Sequence, residues 1–444
     1  MNFKLNSDQE YIVSEAVNWF YRSSEQVFQY DGPPGSGKSV VLNAIVERLG
    51  LDIRHEVAPM SFIGAASLVM RTKGLVTAKT AHSWIYDPVL KPLRDDQGHI
   101  IYNDRGKPVT YTDFEPKTHL PYEIKLIIID EAYCMPRRMR PVIEKFGIKI
   151  IACGDQNQLP PVQDNPAFLV DGKIYHLTQV MRQAGLDDIL FIANRSMLGL
   201  PLLNGYYGNS MVIDREDLSD SMLLWADMVI CGTNNTRDKI NQHIRYLKGF
   251  TSSALPCYGE RMIIRNNNWD DGVIDSNNNT INLVNGLIAT VTNQPSVDSY
   301  NKLTKCINMQ FVPDLAQDCV FNIGANYEYL ISDSKQRMAL KNSRFTRGVL
   351  AEFAYAITCH LSQGSQFHKV IYIEENLHPS IQPCLNLVGC TRADQQLIYV
   401  KNNYRAWQDY DDPIQAIKRA QFQIEERFKR RNTNEKHVYR RENM

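Results

Sequence analysis

The feature that most restricts how this chain can fold is the segment GPPGSGKS at residues 32–39, which matches the pattern GxxxxGK[ST]. A short apolar run, Val27, Phe28 and Tyr30, precedes it. Leu42, Ile45, Val46 and Leu49 follow with helical spacing, and Gly50 supplies a C-cap. Strand, glycine loop and helix together form the unit from which a lobe with a parallel sheet is built. Gly35 and Gly37 let backbone N–H groups close on phosphate oxygens, where a β-carbon would obstruct, and the helix N-terminus adds partial positive charge. Gly32, Pro33, Pro34, Gly35, Ser36 and Gly37 therefore read as a phosphate cradle. Lys38 reads as the cation for the β- and γ-phosphates, and the Ser39 hydroxyl as a Mg²⁺ ligand. Without its flanks the segment would be a glycine turn beside a surface lysine; with them it is a nucleotide site.

Two more strands support the same lobe. Residues 124–129 run straight into Asp130-Glu131, which delivers two carboxylates to the C-terminal edge of a parallel sheet, where ligands bind. Asp130 suits Mg²⁺, and Glu131 is placed to deprotonate an attacking water. Alone, such a pair would merely cap a strand. Residues 148–153 end in GDQNQLPPV, in which Gln158 can hydrogen-bond both a γ-phosphate and a water. Near the N-terminus, Ser7 and Glu10 read as a capping box opening a helix, with Gln9 in its first turn.

Composition bounds the class. The 444 residues allow several domains, and 49 basic residues balance 49 acidic ones, which excludes a uniformly positive polyanion binder but not a local groove. The segment 334–350 has five Lys or Arg and no acid, and the tail after Gln415 has nine against four Glu; both also read as solvated surface charge. No apolar run reaches the roughly 20 residues of a membrane span, and MNFKLNSDQE lacks the form of a signal peptide. Nine cysteines without a CxxC pair read as reduced thiols in a cytoplasmic protein.

In this order the motifs resemble those of superfamily 1 helicases, and later segments extend the match from Gln9 to Arg392. APMSFIGAASL at 58–68 is similar to motif Ia, although Met60-Ser61 replaces a Thr-Gly-like step. AKTAHSW at 78–84 is similar to the segment that touches single-stranded DNA. LTQVMRQ at 177–183 holds Arg182, VICGTNNTRDKIN at 229–241 holds Asn234, and LVGCTRA at 387–393 holds Arg392. YAITCHLSQGSQF at 355–367 carries motif V as TCHLSQGS, a form that resembles superfamily 1B, the RecD and Dda-type enzymes.

What that resemblance implies is an α/β chain of two RecA-like, doubly wound parallel-sheet lobes. A β-hairpin is inserted in the first lobe and a small SH3-like β-barrel in the second. Lobe one would comprise 1–87 and 119–175, the hairpin 88–118, lobe two 176–250 and 351–408, the barrel 251–350, and a C-terminal helix with a basic tail 409–444. The implied activity is ATP- and Mg²⁺-dependent movement along single-stranded DNA, 5′ to 3′, with unwinding of duplex forks. Gln9 would read adenine, while Gln158, Arg182, Gly364 and Arg392 would face the triphosphate. Thr80, His82, Ser83, Trp84, Asn234, Thr358, His360 and Arg105 would face DNA. Action as a monomer, beside single-strand binding protein or replisome components and away from membranes, is part of the same expectation. A RecD-like subunit serving a nuclease, and a translocase that strips proteins from DNA, remain alternatives.

Some segments carry two readings. Residues 98–102 and 107–111 flank Asn103-Asp104-Arg105-Gly106 as a hairpin, either a fork-splitting pin bearing Tyr102, Arg105 and Tyr111 or an ordinary surface hairpin. Between 251 and 350 short strands are expected at 261–265, 287–292, 306–312 and 327–332, with no long helix, as a barrel or a plain structural insertion. Asp412 and Pro413 open a last helix with Ile414, Ile417, Gln421, Ile424 and Phe428 on one face.

Overall fold

The computed structural model describes residues 5–94, 97–102, 106–179, 187–250, 255–276, 280–302, 304–343 and 346–402. Arg105, Arg182, the hairpin tip and the last helix with its basic tail lie outside them.

Two six-stranded sheets organise the chain. In the first lobe the spatial order is Lys79–Thr80, Val57–Ser61, Leu126–Asp130, Lys149–Gly154, Val27–Asp31 and Ile174–His176, with every pairing parallel. Leu126 to Ile129 are completely buried, as an inner strand covered on both faces requires. Helices Ser7–Arg22 and Lys38–Leu49 cover one face through Ile12, Ala16, Leu42 and Ile45. The opposite face packs Met135, Met139, Ile143 and Phe168. This double winding brings the loops after Asp31, Asp130 and Gly154 to one sheet edge.

In the second lobe the order is Ala356–Thr358, Met228–Cys231, Phe367–Ile373, Ala393–Lys401, Ser210–Asp214 and Gly205–Tyr207; only the last pair is antiparallel. The two lobes give the α/β, twin-sheet architecture expected. Among the described residues no helix is long and apolar enough to cross a membrane.

The insertions differ in detail from the sequence expectation. In the first lobe the main ladder is Tyr86–Pro92 with Thr110–Pro116, which overlaps the expected strands at Thr110 and Tyr111 alone; inside it, among the described residues, the bridges Arg94 to Ile100 and Tyr102 to Pro108 continue. Strand-forming Tyr, Thr and Val residues placed on either side of Lys91 extend the outer ladder, and Lys91 bridges Asp113 and Glu115 across it at 2.9 Å each.

In the second lobe a five-stranded antiparallel sheet runs Phe321–Asn326, Cys306–Pro313, Ile288–Val291, Arg261–Ile264, Ala351–Phe353, beside a hairpin of Asn268–Ile274 and Thr280–Leu283. Its last strand lies past residue 350, where the insertion was expected to end. Residues 327–332, expected as a strand, form the short helix Tyr327–Ile331, because Asn326 accepts the Tyr329 N–H as an N-cap. A second helix, Ser334–Asn342, follows on a capping box of Asp333 and Gln336. At 327–332 cap chemistry overrode the strand-like run of Tyr, Leu and Ile.

Candidate functional site

The strand Val27–Asp31 ends at the glycine loop, and the helix Lys38–Leu49 begins as the loop closes. Gly35 and Gly37 hold φ of 83° and 84°, a left-handed conformation natural to glycine. A β-carbon on Gly37 would also collide with the Gln9 side-chain amide. Gln9 is buried and uses both ends of that amide. Its oxygen accepts the Asn6 N–H at 3.1 Å, and its nitrogen donates to the Ser36 carbonyl at 3.0 Å. The capping box is therefore Asn6 with Gln9, not Ser7 with Glu10; an asparagine one residue earlier caps as well as serine. Lys38 folds over the loop and donates to the carbonyls of Gly32 at 2.8 Å and Pro33 at 3.3 Å.

Three acids stand opposite. Asp130 accepts the Glu131 backbone N–H at 2.9 Å and the Cys153 thiol at 3.3 Å. Glu131 adopts φ of 52°, a costly conformation for a residue with a β-carbon. Burial raises its carboxyl above the ordinary range and the Asp130 charge adds to that; Lys38 and Arg392 pull the other way. Burial likewise raises Asp155, against the charge of Lys38. One Asp155 carboxyl oxygen and the Gln158 side-chain oxygen are buried without a hydrogen-bond partner.

The second lobe closes this site. A cleft of about 670 Å³ is lined by Gln9, Pro34, Gly35, Gly37, Lys38, Ser39, Asp130, Glu131 and Gln158 from the first lobe, and by Gly364, Gln366 and Arg392 from the second. Arg392 is 5% exposed and reaches the cleft from the end of the helix Gln382–Cys390. Its guanidinium donates to the carbonyls of Val388 and Ser365, both at 3.2 Å, and to the Thr391 hydroxyl at 3.3 Å. Burial lowers its pKa while Glu131 and Asp155 raise it. A guanidinium nevertheless stays charged. Gly32, Pro33 and Ser36 belong to the loop without lining the cleft: the Gly32 and Pro33 carbonyls receive Lys38, and the Ser36 hydroxyl is buried and unpartnered.

Sequence reasoning did not single out Asn43, Lys73, Asp155 or Gln366. Asp155 stands in the same GDQNQ segment as Gln158, so its acid was visible, whereas Lys73 reaches the cleft only through the turn of the helix Gly64–Thr72. Lys73 donates to Ser39 at 3.5 Å.

The residues fit Mg²⁺ with a triphosphate. Among the described residues no cluster of three His, Cys, Asp or Glu side chains forms a metal cage. Mg²⁺ asks for less: one or two protein oxygens, completed by phosphate oxygens and water. The Ser39 hydroxyl and Asp130 line the same cleft. The unpartnered oxygens of Gln158 and Asp155 are acceptors awaiting a donor such as water.

The residues expected to face DNA divide. Thr80 is buried and caps the helix Ala81–Ile85, with Ser83 as its partner at 3.1 Å between the hydroxyls. Trp84 packs partly buried against the core of the first lobe, and its ring N–H donates to the Pro59 carbonyl at 2.8 Å, so its placement is set by packing. Beside it His82 is exposed and stacks on Tyr86 at 5.5 Å, with Phe62 at 5.8 Å; Tyr86 and Phe62 are, like Trp84, partly buried against the same core. Phe62, inside the motif Ia segment, was not anticipated. Asn234 is exposed at the start of the helix Asn234–Leu247, capped by Thr233. Thr358 is buried ahead of the short helix Cys359–Ser362, and His360 is half-buried on it.

Comparisons with known proteins bear on the fold. A family model described as an AAA domain matches residues 4–193. An uncharacterized protein of Methanocaldococcus jannaschii is 23% identical over 83% of this chain and 36% of its own length. The ATP-dependent DNA helicase PIF1 of Saccharomyces cerevisiae is 27% identical over 44% of this chain and 23% of its own length. The alignments thus span little more than a third of those curated relatives at most. Among solved structures, Bacteroides Pif1 bound to single-stranded DNA superposes with a TM-score of 0.51 at 16% identity, over 89% of this chain and 92% of that one. A structure described as two coordinating Pif1 helicases at forked duplex DNA gives the same figures. At that identity the likeness is one of fold.

Proposed function

We propose that this chain, a member of helicase superfamily 1B by fold and motif series, is an ATP-driven motor that moves along single-stranded DNA and separates duplex ahead of it. One observation carries the reading: the cleft above the glycine loop is walled by both lobes, with Lys38, Ser39, Asp130, Glu131 and Gln158 on one side and Gly364 and Arg392 on the other. A nucleotide bound there touches both sheets, so its hydrolysis changes how they sit together.

Each group has a role its surroundings permit. Lys38 leaves the two loop carbonyls for phosphate oxygens. Ser39 and Asp130 hold Mg²⁺, which when bound neutralises charge on the phosphates. Glu131, with its pKa raised toward the working range, takes the proton of the attacking water, and Gln158 orients that water. Arg392 meets the charge that spreads over the γ-phosphoryl oxygens, and Arg182 is its proposed companion. Such arginines supply about 10³–10⁵ in rate elsewhere. Single-stranded DNA runs past His82, Tyr86 and Phe62 on the first lobe and Asn234, Thr358 and His360 on the second. Aromatic stacking there is tolerant of sequence. The direction, 5′ to 3′, follows the TCHLSQGS form of motif V.

The test is the ATPase rate with and without an oligothymidine strand, in the wild type and in Lys38→Ala. The wild type is expected to be stimulated by the strand. Lys38→Ala is expected to bind the strand with ordinary affinity while hydrolysis and unwinding disappear. Unwinding that persists in Lys38→Ala contradicts the proposal.

A further inference from the structure

We infer that Gln363 is a positioning residue that couples the nucleic-acid side of the second lobe to the two segments of the first lobe carrying Glu131 and Gln158. The inference rests on the motor reading and adds a specific mechanical link to it.

The side chain of Gln363 is buried, yet both of its observed hydrogen-bond acceptors belong to the other lobe. Its Nε2 donates to the Cys134 Sγ at 3.2 Å and to the Leu159 carbonyl at 3.4 Å. The Cys134 thiol in turn donates to the same Leu159 carbonyl at 3.3 Å, which closes a triangle. Cys134 ends the single turn Ala132–Cys134 that starts from Glu131, and Leu159 directly follows Gln158. One amide therefore holds the segment of the general base and the segment of the water-orienting glutamine together.

At its other end Gln363 is tied to the segment proposed above to face the strand, in which Thr358 is buried and His360 half-buried. It terminates the short helix Cys359–Ser362, three residues after His360 and five after Thr358. Gly364, next in the chain, holds φ of 79° and lies so close to the first lobe that a β-carbon would stand 2.7 Å from the Ala66 Cβ. The turn thus has no slack. Movement of Thr358 and His360 against a bound strand displaces Gln363, and Gln363 displaces Cys134 and Leu159. Burial keeps the Cys134 thiol protonated, as its donation to Leu159 requires.

The experiment uses the full chain, ATP with Mg²⁺ and an oligothymidine strand, and compares the ratio of kcat with strand to kcat without it. Gln363→Met keeps the volume and removes the N–H donors. The ratio is expected to fall by about fivefold or more, the lower end of ordinary coupling between sites. The KM for ATP and the Kd for the strand should stay within about twofold. Cys134→Ala reads the same link from the other side. Cys134→Ser, which restores a donor and acceptor, is expected to recover more of the ratio than Cys134→Ala. A wild-type ratio retained in both Gln363→Met and Cys134→Ala overturns the link and leaves the motor reading intact. A loss matched by a rise in KM or Kd also overturns it, since Gln363 then acts in binding. Absence of stimulation in the wild type instead defeats the motor reading itself. If Gln363→Met does not fold, the Cys134 pair decides alone, with equal ratios in Ala and Ser counting against the link.

Discussion

Glu131 pays in stability for its position. Its backbone is left-handed and its carboxyl is buried beside Asp130, so the fold disfavours the charged form and raises its pKa. The sign follows for stability. A carboxyl whose pKa rises on folding destabilises the protein wherever it is ionised, fully above its folded pKa, and that cost vanishes as pH falls below the unfolded value. Glu131→Gln is therefore expected to melt at a higher temperature than the wild type at neutral pH, with the advantage fading toward acid, while turnover is lost. Thermal melts between neutral and acid pH check this; a lower melting temperature at neutral pH would contradict it. The same shift predicts that the acid limb of the wild-type kcat profile lies above the ordinary carboxylate value of 4.5. At this scale much of the site could be read from the sequence, because the glycine loop and the Asp-Glu pair fix their own neighbours. Gln363 and Cys134 could not be read in that way, since their contact joins two lobes, and Lys73 could not, since the end of the helix Gly64–Thr72 brings it to Ser39.

The helix Gly64–Thr72 joins the first lobe to the inserted sheet of the second. A β-carbon on Gly64 would stand 2.8 Å from the Asn285 carbonyl and 3.0 Å from the Val284 Cβ. Leu68 belongs to the core of the inserted sheet, and Arg71 donates to the Thr280 carbonyl at 2.6 Å and the Asn282 side chain at 2.8 Å. Overpacking such a contact costs about 1–3 kcal/mol. Gly64→Val is expected to lower kcat with DNA roughly tenfold by holding the joint apart, with ATP binding to the first lobe preserved; steady-state kinetics beside nucleotide titration check it, and unchanged kcat would mean that the joint does not close in the cycle. Three strands of the first lobe, Val27–Asp31, Leu126–Asp130 and Lys149–Gly154, were legible because apolar runs end in polar residues at one sheet edge. The helix Tyr327–Ile331 was not, because Tyr, Leu and Ile there read as a strand until the Asn326 cap is considered. The outer hairpin ladder was missed for a related reason: Pro88 and Pro92 argue against a strand unless the edge is open.

At the scale of the molecule, two largely parallel sheets carry the lobes that line one cleft, and the balanced charge of the whole chain would leave the proposed DNA binding to local surfaces. If the strand runs past His82 and Asn234 in the direction proposed, duplexes with a 5′ single-stranded tail should be unwound and those with a 3′ tail should not. A preference for the 3′ tail would reverse the polarity. The lobes and the meeting of Gly364 and Arg392 with the glycine loop were implied by the resemblance that the motif order carries, whereas the particular contacts between the lobes were not, because they join residues far apart in sequence, such as Gly364 with Ala66. The central claim is that Arg392, from the far lobe, acts on the phosphate cradled by Lys38. Single-turnover hydrolysis of ATP on saturating oligothymidine measures it most directly, in the wild type and in Arg392→Ala. The account predicts that Arg392→Ala binds ATP with little change and hydrolyses it about 10³-fold more slowly; hydrolysis at the wild-type rate would contradict it.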